Sequence, residues 1–162
     1  MLRRATTADA AALAGIYNHY VAHTIITFEE EPVSAAGMAQ RIGETLADGF
    51  PWFVWAEPDG RILGYAHASK WKSRCSYRYS AETTVYLEKS ATRRGLGTKL
   101  YTAVIAELRA LNLHALIGGV ALPNEASIAL HEKFGFRKVA LFKETCFKFG
   151  QWIDVGYWEL ML

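Results

Sequence analysis

The run Arg93-Arg94-Gly95-Leu96-Gly97-Thr98 stands between a strand-like segment and a helix-like one. The first N–H groups of a helix have no partner inside it and carry the positive end of its dipole. Glycines let a diphosphate approach those groups, and arginines add charge. A glycine turn with solvated arginines is the alternative. Two common phosphate motifs are absent: Gly97-Thr98-Lys99 has the wrong spacing for a P-loop, and Leu100 stands where a dinucleotide fingerprint needs its third glycine. An NTPase or a dehydrogenase is therefore disfavoured. Farther on, Asn124, Ser127 and His131 are spaced three and four apart and share one face of a helix. Amide, hydroxyl and imidazole in a row suit a long ligand lying along that helix. The alternative is surface polarity, with Asn124 as the N-cap. In this reading Ala126, Ala129, Leu130 and Phe134 form the buried side.

The elements that must carry these groups follow from periodicity and turn residues. Leu2–Ala5 reads as a first strand, and Thr7 and Asp9 start a helix whose periodicity runs over Ala11–Val21. A second helix is expected from Ser34 to Leu46. Trp52–Ala56 and Ile62–Ala68 form a hairpin about Pro58-Asp59-Gly60. Lys70–Ser80 is a basic, aromatic loop. Ala81–Glu88 is a strand with Glu82, Thr84 and Tyr86 on one face and Thr83, Val85 and Leu87 on the other. Leu96, Leu100, Val104, Leu108 and Leu111 form the apolar stripe of the next helix. Ala115–Leu122 is a buried strand, Pro123-Asn124 opens a helix ending near Gly135, and Phe136–Phe142 and Trp152–Met161 are late strands. This order predicts an α/β (α+β) fold, a mixed sheet with helices on both faces.

The chain has 162 residues, which suits a single domain over 1–162. Hydrophobic residues make up 51% and charged residues 21%, the composition of a folded protein. A formal charge of +2 argues against a nucleic-acid binder. No stretch reaches the ~20 apolar residues of a membrane span. The N-terminus has no secretory pattern, and Cys75 and Cys146 show no metal or disulfide spacing, so a cytoplasmic protein with free thiols is expected. His19 and His23 lie four apart but lack the intervening carboxylate of a zinc motif, so no metal is expected.

The combination of Thr83, Val85-Tyr86-Leu87, the Arg93–Gly97 run, Pro123-Asn124 with Ser127, and Leu130-His131-Glu132-Lys133-Phe134-Gly135-Phe136 resembles the GNAT N-acetyltransferases. Trp71-Lys72, Tyr77, Glu82 and Val85-Tyr86, with Phe149-Gly150-Gln151-Trp152 and Asp154-Val155-Gly156-Tyr157-Trp158, resemble its phosphinothricin and methionine sulfoximine acetyltransferase group. The resemblance runs from Tyr17-Asn18 to the end of the chain. It implies a mostly antiparallel mixed sheet that binds acetyl-CoA at a splayed strand. Val85, Tyr86 and Leu87 would hold the acetyl and pantetheine portion. Arg93, Arg94, Gly95, Leu96, Gly97 and Thr98 would hold the pyrophosphate, and Asn124 and Ser127 the pantetheine arm. The family loop usually opens with Gln or Arg where this chain has Thr92, so Arg93 and Arg94 are expected to supply that charge.

An amine must lose a proton before it attacks a thioester, and Glu82 is the base that both its place before the cofactor strand and the resemblance favour; an ion pair with a nearby arginine is the alternative. Many GNAT enzymes have a tyrosine proton donor where His131 stands, so His131 is expected to donate to the thiolate; ordinary hydrogen bonding or packing is the alternative. The backbone N–H of Leu87 is the candidate oxyanion donor. The loop cations Arg74 and Arg78 suit a carboxylate, and the resemblance makes Arg78 the first ligand. Thr27, Phe28 and Glu29, in the early loop, resemble the family's substrate-side wall, and Thr84 is expected beside them. The acceptor is thus expected to be a small amino-acid analogue with a free α-amine. A peptide N-terminus, a polyamine, an aminoglycoside, or a non-catalytic acyl-CoA sensor are the rival readings. Trp152 and Trp158, in the aromatic tail, are expected to cover a subunit contact or to pack in the core, and the resemblance implies a homodimer.

Overall fold

A computed structural model describes all 162 residues. The strands are β1 (Leu2–Arg4), β2 (Trp52–Ala56), β3 (Ile62–Lys70), β4 (Ser80–Leu87), β5 (Ala115–Leu122), β6 (Arg137–Lys148) and β7 (Gln151–Met161). The helices are α1 (Ala10–His23), α2 (Ala35–Ala47), α3 (Leu96–Ala110) and α4 (Glu125–Lys133). The strands form one seven-stranded sheet in the order β1-β2-β3-β4-β5-β7-β6. The β1–β2, β2–β3, β5–β7 and β6–β7 pairs are antiparallel, and β4–β5 is parallel. The chain forms two compact units, each built from three separate segments.

The first unit comprises Met1–Asn18, Val33–Ser69 and Thr83–Asn112. Its helix α2 starts where the Ser34 hydroxyl accepts the Gly37 N–H at 3.0 Å, satisfying one of the orphan donors of the first turn. Asn18 clamps the approach to that helix: it donates to the Val33 carbonyl at 2.9 Å and accepts the Val33 N–H at 2.8 Å. Helices α2 and α3 both pack on β2. The stripe Leu96, Leu100, Val104 and Leu108 is buried, but Leu111 is 44% exposed. The stripe ends one turn short of the expected span because α3 itself ends at Ala110 and Leu111 is its cap. A buried bond of 2.8 Å between the Thr83 and Tyr101 hydroxyls fixes α3 to β4.

The second unit comprises His19–Pro32, Lys70–Glu82 and Leu113–Leu162. Its central strand β5 pairs with β7 along its whole length, from Ala115↔Met161 to Leu122↔Asp154. Strands β6 and β7 form a hairpin that turns at Phe149-Gly150, both at positive φ. Strand β6 runs six residues beyond its expected end at Phe142, to Lys148, with an irregularity between Phe142 and Cys146. There the left-handed Glu144 donates its N–H to Asp154 Oδ1 at 2.9 Å, so a side chain replaces the broken ladder. Of the two tryptophans expected at a surface contact, Trp152 is exposed. Trp158 is buried and its indole N–H donates to Glu132 at 3.2 Å. Gly156 makes room for it, since a Cβ there would lie 2.5 Å from the Trp158 ring.

Candidate active site

The glycine run does open a helix. Gly95 is its N-cap in the left-handed region at φ 74°, and Arg93, at φ 60°, is left-handed too. Gly95 has no side chain to cap the first turn, and no acidic residue stands in that turn. The helix therefore keeps its positive end available to an anion. Arg93, Arg94 and Gly95 are exposed, whereas Leu96 and Gly97 are buried. Leu96 anchors the run by packing with Leu63 and Ala91. Arg94 is 3.7 Å from Glu57, which also pairs with Arg61 at 2.7 Å.

The end of β4 is held close to β3. A Cβ on Gly64 would lie 2.5 Å from the Leu87 side chain and 2.8 Å from the Tyr86 carbonyl, so only glycine permits the approach. The Glu88 N–H donates to the Leu63 carbonyl at 2.8 Å. Tyr86 meets Tyr17 edge-on at 5.1 Å and Tyr65 at 5.7 Å. These contacts set Val85, Tyr86 and Leu87 on a rigid strand end.

Glu82 lies where β4 pairs in parallel with β5, opposite Ile117. It is half-buried, and its carboxylate makes no hydrogen bond or ion pair with the protein. Burial pushes its carboxyl above the ordinary value, and the Lys72 ammonium pulls partly back. Its neighbours are aromatic. A Cβ on Gly119 would lie 3.2 Å from the Tyr157 ring and 3.4 Å from Glu82 Oε1. Tyr157 is met edge-on by Trp71 at 5.4 Å and by Phe142 at 5.6 Å. The Lys72 ammonium sits 4.6 Å over the Trp71 ring. Tyr157 belongs to the Asp154–Trp158 motif, which by itself gives it no role in the site. The signal that points to it is the Gly118-Gly119 pair inside an otherwise apolar strand, which marks close approach.

The polar row of α4 is present, but it faces inward. Asn124 is the N-cap, accepting the Ser127 N–H at 3.1 Å. His131 is 3% exposed, while Ala126 and Ala129, expected on the buried side, are exposed, and Leu130 and Phe134 are half-buried. The reason is Gly118. A Cβ there would fall 2.1 Å from His131 Nε2, so the glycine leaves the hole that the imidazole fills. His131 Nδ1 donates to the Ser127 carbonyl at 2.8 Å, which assigns its tautomer. Burial lowers the His131 pKa, with the bond to Ser127 opposing. Neighbours on a strand point to opposite faces. Gly118 receives His131 and Gly119 receives Glu82, so these two side chains lie on opposite faces of β5.

The expected substrate-side residues differ in burial and in partners. Thr27 is buried, and its carbonyl accepts from Lys148, itself only 1% exposed, at 2.8 Å. Phe28 is exposed and Glu29 half-buried. Thr84 is half-buried on β4. Arg74 is exposed. The Arg78 guanidinium donates to the Cys75 carbonyl at 3.1 Å and lies 4.6 Å over the Tyr79 ring, engaged with its own loop. The rings of His19 and His23 lie 5.1 Å apart on α1, tilted by 49°.

A helix start bare of acid suits an anionic ligand, and a half-buried carboxylate suits a proton acceptor. Comparison with known proteins agrees. Residues 2–156 match the family described as the Acetyltransferase (GNAT) domain. The chain is 36% identical over 158 residues to a phosphinothricin N-acetyltransferase of Streptomyces viridochromogenes, covering 98% of this chain and 85% of that one. It is 34% identical over 161 residues to an L-methionine sulfoximine/L-methionine sulfone acetyltransferase of Salmonella typhimurium, covering 99% and 94%. A crystal structure of a phosphinothricin acetyltransferase from Sinorhizobium meliloti in complex with AcCoA superposes with a TM-score of 0.97 at 34% identity, covering 100% of this chain and 88% of that one. The mixed, mostly antiparallel sheet and its four helices are thus those of the GNAT acetyltransferases, the family to which this chain belongs.

Proposed function

We propose that the protein transfers an acetyl group from acetyl-CoA to the α-amine of a small amino-acid analogue of the methionine sulfoximine, methionine sulfone or phosphinothricin type. One observation carries this reading: the half-buried Glu82 carboxylate, without a protein partner, beside an aromatic wall and one lysine. The relatives named for such substrates support the choice of acceptor.

Acetyl-CoA supplies the acetyl group as a thioester. The exposed Arg93 and the helix start at Gly95–Thr98 would hold its pyrophosphate, with Arg94 adding charge. Val85, Tyr86 and Leu87 would align its pantetheine and acetyl end, and Asn124 and Ser127 would bound the arm. Glu82 takes the proton of the acceptor amine, which is mostly protonated at neutral pH. The Leu87 N–H is the proposed donor to the oxygen on which charge develops. The thiolate is a good leaving group, with a reference pKa near ~8.5. His131 is the proposed source of its proton. The neutral ring carries its one proton on Nδ1, toward the Ser127 carbonyl, so His131 would have to be an imidazolium to give a proton from Nε2, and burial works against that form.

Thr27, Phe28, Glu29, Thr84, Arg74 and Arg78 are proposed to shape the acceptor side. For Arg78 to grip a carboxylate it must leave the Cys75 carbonyl. The reading includes a cytoplasmic homodimer. Its proposed contact is the outer strand β6, where Val139, Leu141, Phe142 and Phe147 are exposed, and the free Cys75 and Cys146 suit a reducing compartment.

Thiol release from acetyl-CoA across methionine sulfoximine, methionine sulfone, phosphinothricin, spermidine, kanamycin and a short peptide tests the reading. Saturable turnover on an amino-acid analogue supports it. Turnover only on peptide, polyamine or aminoglycoside overturns the acceptor. Silence with tight acetyl-CoA binding favours a sensor.

The pH dependence has a definite sign. A base must be ionised to act, and burial raises the Glu82 pKa. The kcat/KM for the acceptor is therefore expected to fall as pH drops through a value above the ordinary glutamate pKa of ~4.3. A profile flat down to that value would contradict Glu82 as the base.

A further inference from the structure

Tyr157 and Gly119 are direct cross-strand partners on β7 and β5. With no side chain at Gly119, the tyrosine ring can lean across β5 to the side where Glu82 stands. Both groups are seen from one point: the ring edge lies 3.2 Å, and Glu82 Oε1 3.4 Å, from the place of a Gly119 Cβ. The ring is held from two sides, by Trp71 at an interplanar angle of 73° and by Phe142 at 78°. This is a built orientation, and packing alone does not require a phenol there. Neither the Tyr157 hydroxyl nor the Glu82 carboxylate has a hydrogen-bond partner in the protein.

We propose that Tyr157 is a positioning residue for Glu82, its hydroxyl donating through one bound water to the carboxylate that receives the acceptor's proton. The inference rests on the reading of Glu82 as base. A bridging water is nearly as good as a direct bond and needs polar partners on both sides, which these two groups supply. The phenol stays protonated and able to donate, because burial and the nearby carboxylate both raise its pKa. The groups that face Glu82 are Lys72 from the loop after β3 and Tyr157 from β7, and Gly119 on β5 brings none. Lys72 is exposed and lies over the Trp71 ring. The role of fixing the carboxylate thus falls to the tyrosine.

A hydrogen bond to the ionised form favours it. Tyr157→Phe keeps the ring and its packing and removes only the donor. The acid limb of kcat/KM should then move to higher pH by about one unit, the scale of one charge-assisted hydrogen bond. Acetyl-CoA affinity and melting temperature should stay at wild-type values. An unmoved limb, or one moved to lower pH, overturns the positioning role. Glu82→Gln distinguishes the two ideas. If that variant keeps the wild-type acid limb, the base reading fails and this inference with it. If the limb disappears in Glu82→Gln yet stays put in Tyr157→Phe, only the tyrosine's role is lost.

Discussion

Replacing Glu82 by glutamine is expected to lower kcat by about 10²- to 10⁴-fold, the usual worth of a positioned base. Acetyl-CoA affinity, read by calorimetry, should barely change. The substitution keeps the size of the side chain and removes its charge. The carboxylate bonds to no protein group, so no network collapses when it is replaced. Its raised pKa makes it a better proton acceptor than an ordinary exposed glutamate, at the cost of being protonated at a higher pH. A loss smaller than tenfold would mean that another group takes the proton, or that proton removal is not limiting.

The second large effect concerns Gly118. Its replacement by alanine should destabilise the protein by about 3 kcal/mol, at the upper end of ordinary overpacking costs. The new Cβ would stand 2.1 Å from His131 Nε2 and 2.5 Å from its Cδ2, in a site where the ring is buried. The imidazole cannot simply swing outward without giving up the 2.8 Å bond to the Ser127 carbonyl. Urea denaturation of Gly118→Ala measures this, with Gly119→Ala as comparison. There the nearest atoms lie at 3.2 and 3.4 Å, so the loss should be smaller. Equal stability of Gly118→Ala and the wild type would contradict the packing of His131 on β5.

Much of the frame was legible in the residues. Pro58-Asp59-Gly60 marks the β2–β3 hairpin, and the structure has both strands paired across it. Ser34 and Asn124 are the caps that their types suggest. The glycine run before Leu100 opens α3. Inside α4 the reading inverted. Alanines at 126 and 129 look like a core face, yet the helix buries His131 instead. That choice depends on a glycine in β5, a strand apart, which helical periodicity within α4 does not register. Leu111 continues the period of α3 but falls where the helix has already ended. Strand β6 outran its expected end because its irregularity is patched by Asp154, a residue of the next strand.

The candidate site was legible in the same uneven way. Glu82 stands out as an acid on an apolar strand, and the structure gives it a half-buried, unpaired setting. The arginines of the loop suit a carboxylate by type, and the resemblance singles out Arg78. Arg78, however, spends its guanidinium on the Cys75 carbonyl and the Tyr79 ring. Tyr157 stands in a family motif, but an aromatic residue in an aromatic-rich strand carries no signal of a role by itself. It acquires one only when Gly119 is known to be its cross-strand partner.

In the proposed reaction an acetyl group moves from acetyl-CoA to the α-nitrogen of a small amino-acid analogue. The most direct measurement uses acetyl-CoA labelled with carbon-13 in the acetyl group, methionine sulfone as acceptor, and NMR of the products. The label is expected in an amide on the α-nitrogen as thiol is released, and Glu82→Gln should slow its appearance by about 10²- to 10⁴-fold. Label released as free acetate, or thioester left intact in the presence of the acceptor, would contradict it.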